Sequence, residues 1–205
     1  MFMLGCAGDA NPYPRGTMEQ SRQHGETLGK EVCRVLETKL RLVRGPLKIA
    51  FDQVELPLQA TPSREELQKK AARRGDSSTF VAKRMLTMLD HGEKPPTHYK
   101  CPVAVWQFGD DLTLVALAGE VVVDYALRLE RELGPNKLWI SAYCNDVYGY
   151  LPTARMLKEG GYETRGLYTG GVGWFDATAE DVLVEKVREL AKQAGRTLPT
   201  SAERK

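Results

Sequence analysis

Leu117-Ala118-Gly119-Glu120, Leu138-Trp139-Ile140-Ser141-Ala142-Tyr143 and Asn145-Asp146-Val147-Tyr148-Gly149-Tyr150-Leu151-Pro152-Thr153 are the pieces of sequence on which the fold turns. The first ends an apolar run that reads as a buried strand, and the second is another apolar run of strand length. Between them, Val121 to Leu133 has amphipathic helical spacing. A strand, a helix and a parallel strand would put Glu120 and the Tyr148–Tyr150 loop at one edge of one sheet. Open α/β sheets hold their ligands at that edge, beyond the carboxyl ends of the strands. A carboxylate and two or three phenols converging there make a candidate site. The alternative is a buried Glu120 capping the helix beside it, with the tyrosines as amphipathic core.

Upstream, Pro102 to Phe108 and Leu112 to Leu117 read as two strands joined by the short turn Gly109-Asp110-Asp111. Before them lies a helical insertion, residues 61–96. Ser63-Arg64-Glu65-Glu66 is a helix-start signature, and a second helix is expected from Thr79 to Asp90 with Phe80, Val81, Met85, Met88 and Leu89 inward. This hairpin is expected to pack on the sheet or to cover a cleft. Its basic residues Lys69, Lys70, Arg73 and Arg74 read as a solvated face, with an anionic ligand site as the other reading. Leu47 to Leu58 alternates as a strand. Thr17 to Leu42 is expected to be helical up to the break at Pro46, and Gly25 and Gly29 suggest close packing on a neighbour. Phe2 to Ala7 reads as a short buried strand, followed by the rigid loop Gly8 to Gly16 with two prolines. A strand with no lead-in suggests a chain that starts inside a larger fold.

Downstream, Thr153 to Glu159 fits one or two helical turns, and Gly166 to Asp176 fits a turn-rich strand region. Ala179 to Ala191 is the clearest helix, with Val182, Leu183, Val187 and Leu190 on one face and Gly195 as its stop. The expected fold is α/β, a mixed sheet flanked by helices. It is expected to form one domain over residues 1–196, with a disordered tail over 197–205.

Composition bounds the function. At 205 residues, 42% hydrophobic and 27% charged, the chain resembles ordinary globular proteins. A net charge of +2 implies no commitment to nucleic acid or membranes. No apolar run reaches the roughly 18 residues of a membrane span. Cys6, Cys33, Cys101 and Cys144 are scattered without a C-x-x-C pair and read as core thiols. His24, His91 and His98 lack metal-binding spacing, and no G-x-S-x-G elbow or G-x-G-x-x-G turn is present. Met3-Leu4-Gly5-Cys6 has no basic segment or apolar stretch before it, so it is not read as an export signal.

Three segments together resemble the neutral/alkaline, non-lysosomal ceramidase family. Ala118-Gly119-Glu120-Val121 resembles that family's strand-ending motif, whose Glu binds zinc. Asn145, Tyr150-Leu151-Pro152-Thr153 and Tyr162-Glu163 fall at intervals matching the family's later motifs. Gly8-Asp9-Ala10-Asn11-Pro12-Tyr13 corresponds to the loop carrying the family's nucleophilic serine, with Asn11 in the serine's place. The resemblance implies a zinc-dependent amidohydrolase that cuts an N-acyl amide bond, in the family that of a lipid. It implies Glu120 and Tyr150 as metal ligands, Tyr162 as a catalytic phenol at the scissile amide, and Gly8, Asp9 and Asn11 as the substrate loop. An amide is no nucleophile, so Asn11 would bind or polarise the carbonyl, or leave attack to a water.

The family draws two further histidine ligands from upstream of this loop. The expectation is therefore the C-terminal part of a larger catalytic domain. The missing N-terminal half would be a partner, and the isolated chain would have little or no activity. Relatives are mostly exported, which makes a periplasmic or extracellular location the corresponding expectation. The rival expectation is a non-catalytic binding or scaffold domain on the same fold.

Overall fold

Alternating apolar residues build a four-stranded sheet with two helices packed against one of its faces. The structure is a computed structural model, described here for residues 2–73, 75 and 77–200. After the N-terminal loop come α1 (Met18–Leu36) and β1 (Leu47–Pro57), then α2 (Arg64–Ala71) and α3 (Ser77–Asp90). Next are β2 (His98–Phe108), β3 (Leu112–Leu117), the two-residue β4 (Glu120–Val121) and α4 (Val123–Leu133). The chain then continues through β5 (Leu138–Ser141), β6 (Tyr150–Leu151), α5 (Ala154–Glu159) and α6 (Ala179–Ala194).

The sheet order is β1-β2-β3-β5, antiparallel except for the parallel β3–β5 pair, so the fold is mixed α/β. The strand–helix–parallel strand unit read from the sequence is β3-α4-β5. Tyr125, Leu129 and Leu133 of α4 and Leu183, Val187, Leu190 and Ala191 of α6 bury against Val54, Leu56, Val103, Val105, Val115 and Leu117. Arg128 of α4 ties the helices together, bridging Glu180 at 2.6 Å and Asp181 at 2.5 Å. Gly195 ends α6 in a left-handed conformation. Arg196 beyond it donates to the carbonyls of Leu133, Gly134 and Asn136.

The insertion builds a core of its own. Ser63 and Glu66 form the expected capping box at the start of α2. Leu67, Val81, Ala82 and Met85 then bury against Val172 and Trp174. Phe80, expected inward, is exposed, because the buried face of α3 runs through Thr79, Ala82 and Met85 instead.

Several expectations are corrected. Phe2 to Ala7 is not a strand: its ladder to β5 is limited to the Ala142 N–H donating to the Leu4 carbonyl at 3.0 Å. The N-terminal helix stops at Leu36, well before Pro46, and has no buried residue. Gly25 and Gly29 meet no neighbour within 4 Å, so they serve no close packing. Residues 166–176 form an irregular loop with a single bridge, Phe175 to Leu58. Val182 lies on the exposed side of α6. Of the cysteines expected in the core, Cys6 and Cys101 are buried, Cys144 is partly covered and Cys33 is exposed on α1. In the expected tail, Leu198 packs against the main core, while residues 201–205 and Arg74 of the basic cluster lie outside the described residues.

Candidate active site

The site forms because β3 does not simply turn into α4. Gly119 has φ +83°, and a Cβ there would fall 2.7 Å from the Tyr148 ring, so a side chain is excluded on both counts. The kink lets Glu120 and Val121 leave the main sheet and pair in parallel with Tyr150 and Leu151. The Gly119 N–H donates to Asp146 O and the Glu120 N–H to Gly149 O, both at 2.8 Å. Glu120 and Tyr150 thus stand opposite each other, at the sheet edge where the sequence places the site.

Phenols surround the carboxylate. Tyr143 donates to Glu120 Oε2 at 3.3 Å, and Tyr168 donates to Glu120 Oε1. Tyr143 has φ +59°, uncommon for a bulky residue, and this backbone turn accompanies its approach to Glu120. The Tyr150 and Tyr162 hydroxyls contact each other, and their rings meet edge to face with centroids 4.7 Å apart. Arg165 lies over the Tyr162 ring, 6.0 Å from its centroid. Glu120, Tyr150, Tyr162, Arg165 and Tyr168 line a cleft of about 340 Å³, and Gly75 and Ser77 of the insertion form part of its wall. The insertion therefore borders the cleft as well as packing on the loop beneath it.

The electrostatics keep Tyr143, Tyr162 and Tyr168 protonated. Desolvation and the Glu120 charge push Tyr143 up to about 12. Tyr168 is raised as well, by desolvation first and then by its hydrogen bond to Glu120. Tyr162 is raised by desolvation and by Glu120 and Glu163, with Arg15 and Arg165 pulling it back. At neutral pH each is a hydrogen-bond donor.

The N-terminal loop is held against this site by its first residues. Gly8 donates to Val121 O at 2.9 Å, and a Cβ on it would fall 2.6 Å from Glu120 O, so only glycine allows this approach. Asp9 Oδ1 accepts from the Val123 N–H at 2.8 Å. The N-cap of α4, Val122, offers no side-chain acceptor, and Asp9 supplies one from 114 residues away. Of the residues expected in the substrate loop, Gly8 and Asp9 therefore have structural partners, and Asn11 is exposed. The same loop carries the Arg15 charge felt by Tyr162.

Sequence reasoning did not single out Tyr168, Arg165 or Arg15. Tyr168 comes from an irregular loop 48 residues from Glu120 in sequence, and an aromatic within a glycine-rich run was its only signal. Glu120 and Tyr150 could hold a metal ion as two oxygen donors. A catalytic zinc needs three or more protein ligands, so the pair fits as part of a ligand set. Among the described residues, no three His, Cys, Asp or Glu side chains gather to hold a metal. His24 and His98 have local partners, the Pro14 carbonyl and the Thr97 hydroxyl.

No protein-family model matches the chain, and neither the curated proteins nor the solved structures contain a match to it. Among the described residues, no helix is long and apolar enough to cross a membrane.

Proposed function

We propose that this cleft belongs to a zinc-dependent amidohydrolase of the ceramidase type, acting on an N-acyl amide, with a lipid amide as the substrate class. The observation that carries the reading is the Glu120–Tyr150 pair, set side by side with the Tyr162 phenol against it. Glu120 and Tyr150 would hold zinc together with ligands from residues other than these, such as those of an N-terminal half-domain. When bound, zinc supplies Lewis acidity toward the acyl carbonyl and toward water.

The remaining work falls to the chain's own groups. In the hydrolysis, water oxygen bonds to the carbonyl carbon, the C–N bond breaks, and the amine leaves with a proton. Tyr162, kept protonated by desolvation and nearby carboxylates, donates a hydrogen bond to the carbonyl oxygen as charge develops on it. Tyr168 and Tyr143 orient the Glu120 carboxylate from either side. Gly8 and Asp9 fix the loop on β4 and α4, so that Asn11 can meet the substrate as a hydrogen-bonding residue rather than a nucleophile. Export to the periplasm or outside the cell is part of the same proposal.

The test is equilibrium dialysis against zinc with metal content read by atomic absorption, alongside hydrolysis of a fluorogenic N-acyl amide. The wild-type chain is expected to retain zinc weakly and to turn over little or no amide by itself. Glu120→Gln and Tyr150→Phe are expected to lose the zinc. If both variants retain as much as wild type, the reading fails. The exposed Asn11, where the family has its nucleophile, favours one alternative: a non-catalytic binding or scaffold domain. That alternative takes over if Glu120→Gln changes only thermal stability.

A further inference from the structure

Helices α4 and α6 cover one face of the main sheet, and the other face is apolar, with its large side chains on β1 and its two tryptophans exposed around the buried Leu114, Ala104 and Ala116. Cross-strand partners put Ile49, Trp106, Leu114 and Trp139 in a single row across all four strands. Leu47 and Phe51 flank that row on β1. Relative exposures are 57% for Ile49 and Phe51, 59% for Trp139, 48% for Leu47 and 40% for Trp106. Beside β5, Met3 and Leu4 share a shallow groove with Leu114 and Trp139 without covering the tryptophan. Three adjacent rows of this face contain no charged residue: Leu47 with Phe108 and Leu112, the central row, and Phe51 with Ala104, Ala116 and Ser141. Charged side chains return at Glu55 and Lys100, toward the far end of β1 and β2, and at Lys137 just before β5.

We propose that this face is a homodimer interface, on which a second copy of the chain stacks its own identical face. Contiguous apolar patches of this kind mark contact surfaces. A large side chain presents roughly 200 Å² in all. The half-exposed Leu47, Ile49, Phe51, Trp106, Trp139 and Leu4 then offer on the order of 600 Å² per copy, the lower end of a standard interface at about 600–1,000 Å² per partner. A second copy suits the face for two reasons. An uncharged patch has no like charges to repel its own image across a two-fold axis. An identical sheet also has the same twist, so the two layers can pack about 10 Å apart at about −30°, as in sheet sandwiches. The interface lies on the main sheet and does not depend on any chemistry assigned to the Glu120 cleft.

The experiment is sedimentation velocity of the 205-residue chain over a dilution series, with tryptophan emission recorded on the same samples. The expected result is a species of twice 22.9 kDa that dissociates in the micromolar range. Emission should shift to the red on dilution as Trp106 and Trp139 return to water. Trp106→Lys and Trp139→Lys each are expected to give monomers with unchanged far-ultraviolet circular dichroism, because both side chains are already half in solvent. Leu28→Glu on α1, outside the face, is expected to leave the dimer intact. The proposal is overturned by a wild-type monomer at tens of micromolar, by a dimer that survives both lysine variants, or by open-ended aggregates. It is equally overturned if the chain stays monomeric yet co-floats with phosphatidylcholine vesicles, or pairs through this face only with a different polypeptide.

Discussion

Individual residues fix the site where ordinary backbone could not. Gly119→Ala places a methyl against the Tyr148 ring at a positive φ, and it is expected to destabilise the fold by about 2–4 kcal/mol in urea melts. Asp9→Ala removes the distant cap of α4 and is expected to cost about 1 kcal/mol, with Asp9→Asn recovering most of it. Tyr168→Phe keeps the ring and removes the donor to Glu120 Oε1. If Glu120 is a metal ligand, that single hydroxyl is worth about 10–100-fold in zinc affinity, read in the same dialysis as Glu120→Gln. Glu120 and Tyr150 were legible in the sequence because the strand–helix–strand pattern brings them to one edge. Asp9 as a cap was not legible, since nothing local marks a contact spanning 114 residues. Tyr143 lay within the apolar run read as a strand, and its positive φ accompanies its turn toward the carboxylate.

Among the elements, periodicity was a good guide where a partner exists and a poor one where it does not. β2, β3, α3, α4 and α6 lie close to where apolar spacing puts them, because each buries apolar side chains against another element of the chain, and β1 does so through Ala50, Val54 and Leu56 while its Leu47, Ile49 and Phe51 stay exposed. The same spacing in α1 promised a packed face, yet Leu28, Val32, Val35 and Leu36 are exposed. Amphipathic spacing reports a preference for burial, and the neighbour must still be supplied. The N-terminal run likewise has strand composition but only one ladder bond to hold it. A testable consequence concerns α1. Paired Leu28→Glu and Val32→Glu substitutions are expected to shift stability by no more than about 0.5 kcal/mol, as for surface positions generally. A loss of several kcal/mol in thermal melts would show that α1 has a buried neighbour.

For the whole molecule, the phenols give a pH signature. An unfolded tyrosine ionises near 10. Burial raises Tyr125 and Tyr148 well above that value, and desolvation raises Tyr99 and Tyr168 too, with Tyr143 at about 12. Above pH 10 the unfolded chain therefore holds fewer phenolic protons than the folded one, so stability falls as pH rises. The contribution is complete below pH 10 and is lost as pH passes through the folded values, from about 12 upward. Tyr162 is raised as well, and absorbance at 295 nm is expected to show six of the eight tyrosines ionising late and together with unfolding. A single reversible step near pH 10 for all eight would contradict the burial described here.

The attachment of Gly8 and Asp9 to β4 and α4 also bears on chain connectivity. These two residues behave as a ligand that happens to be covalently tethered, and the exposed α1 with residues 37–46 after it is the tether. Severing that tether would convert the contact into a bimolecular one. It would be held by the bonds of Gly8 and Asp9, those to the Leu4 carbonyl and the burial of Cys6, without the effective concentration, often millimolar for flexible links, that tethering provides. A single protease cut in residues 37–46 is therefore expected to release the N-terminal loop on dilution. The helix bearing Tyr125 would lose its cap, although no bond in the sheet itself had been broken.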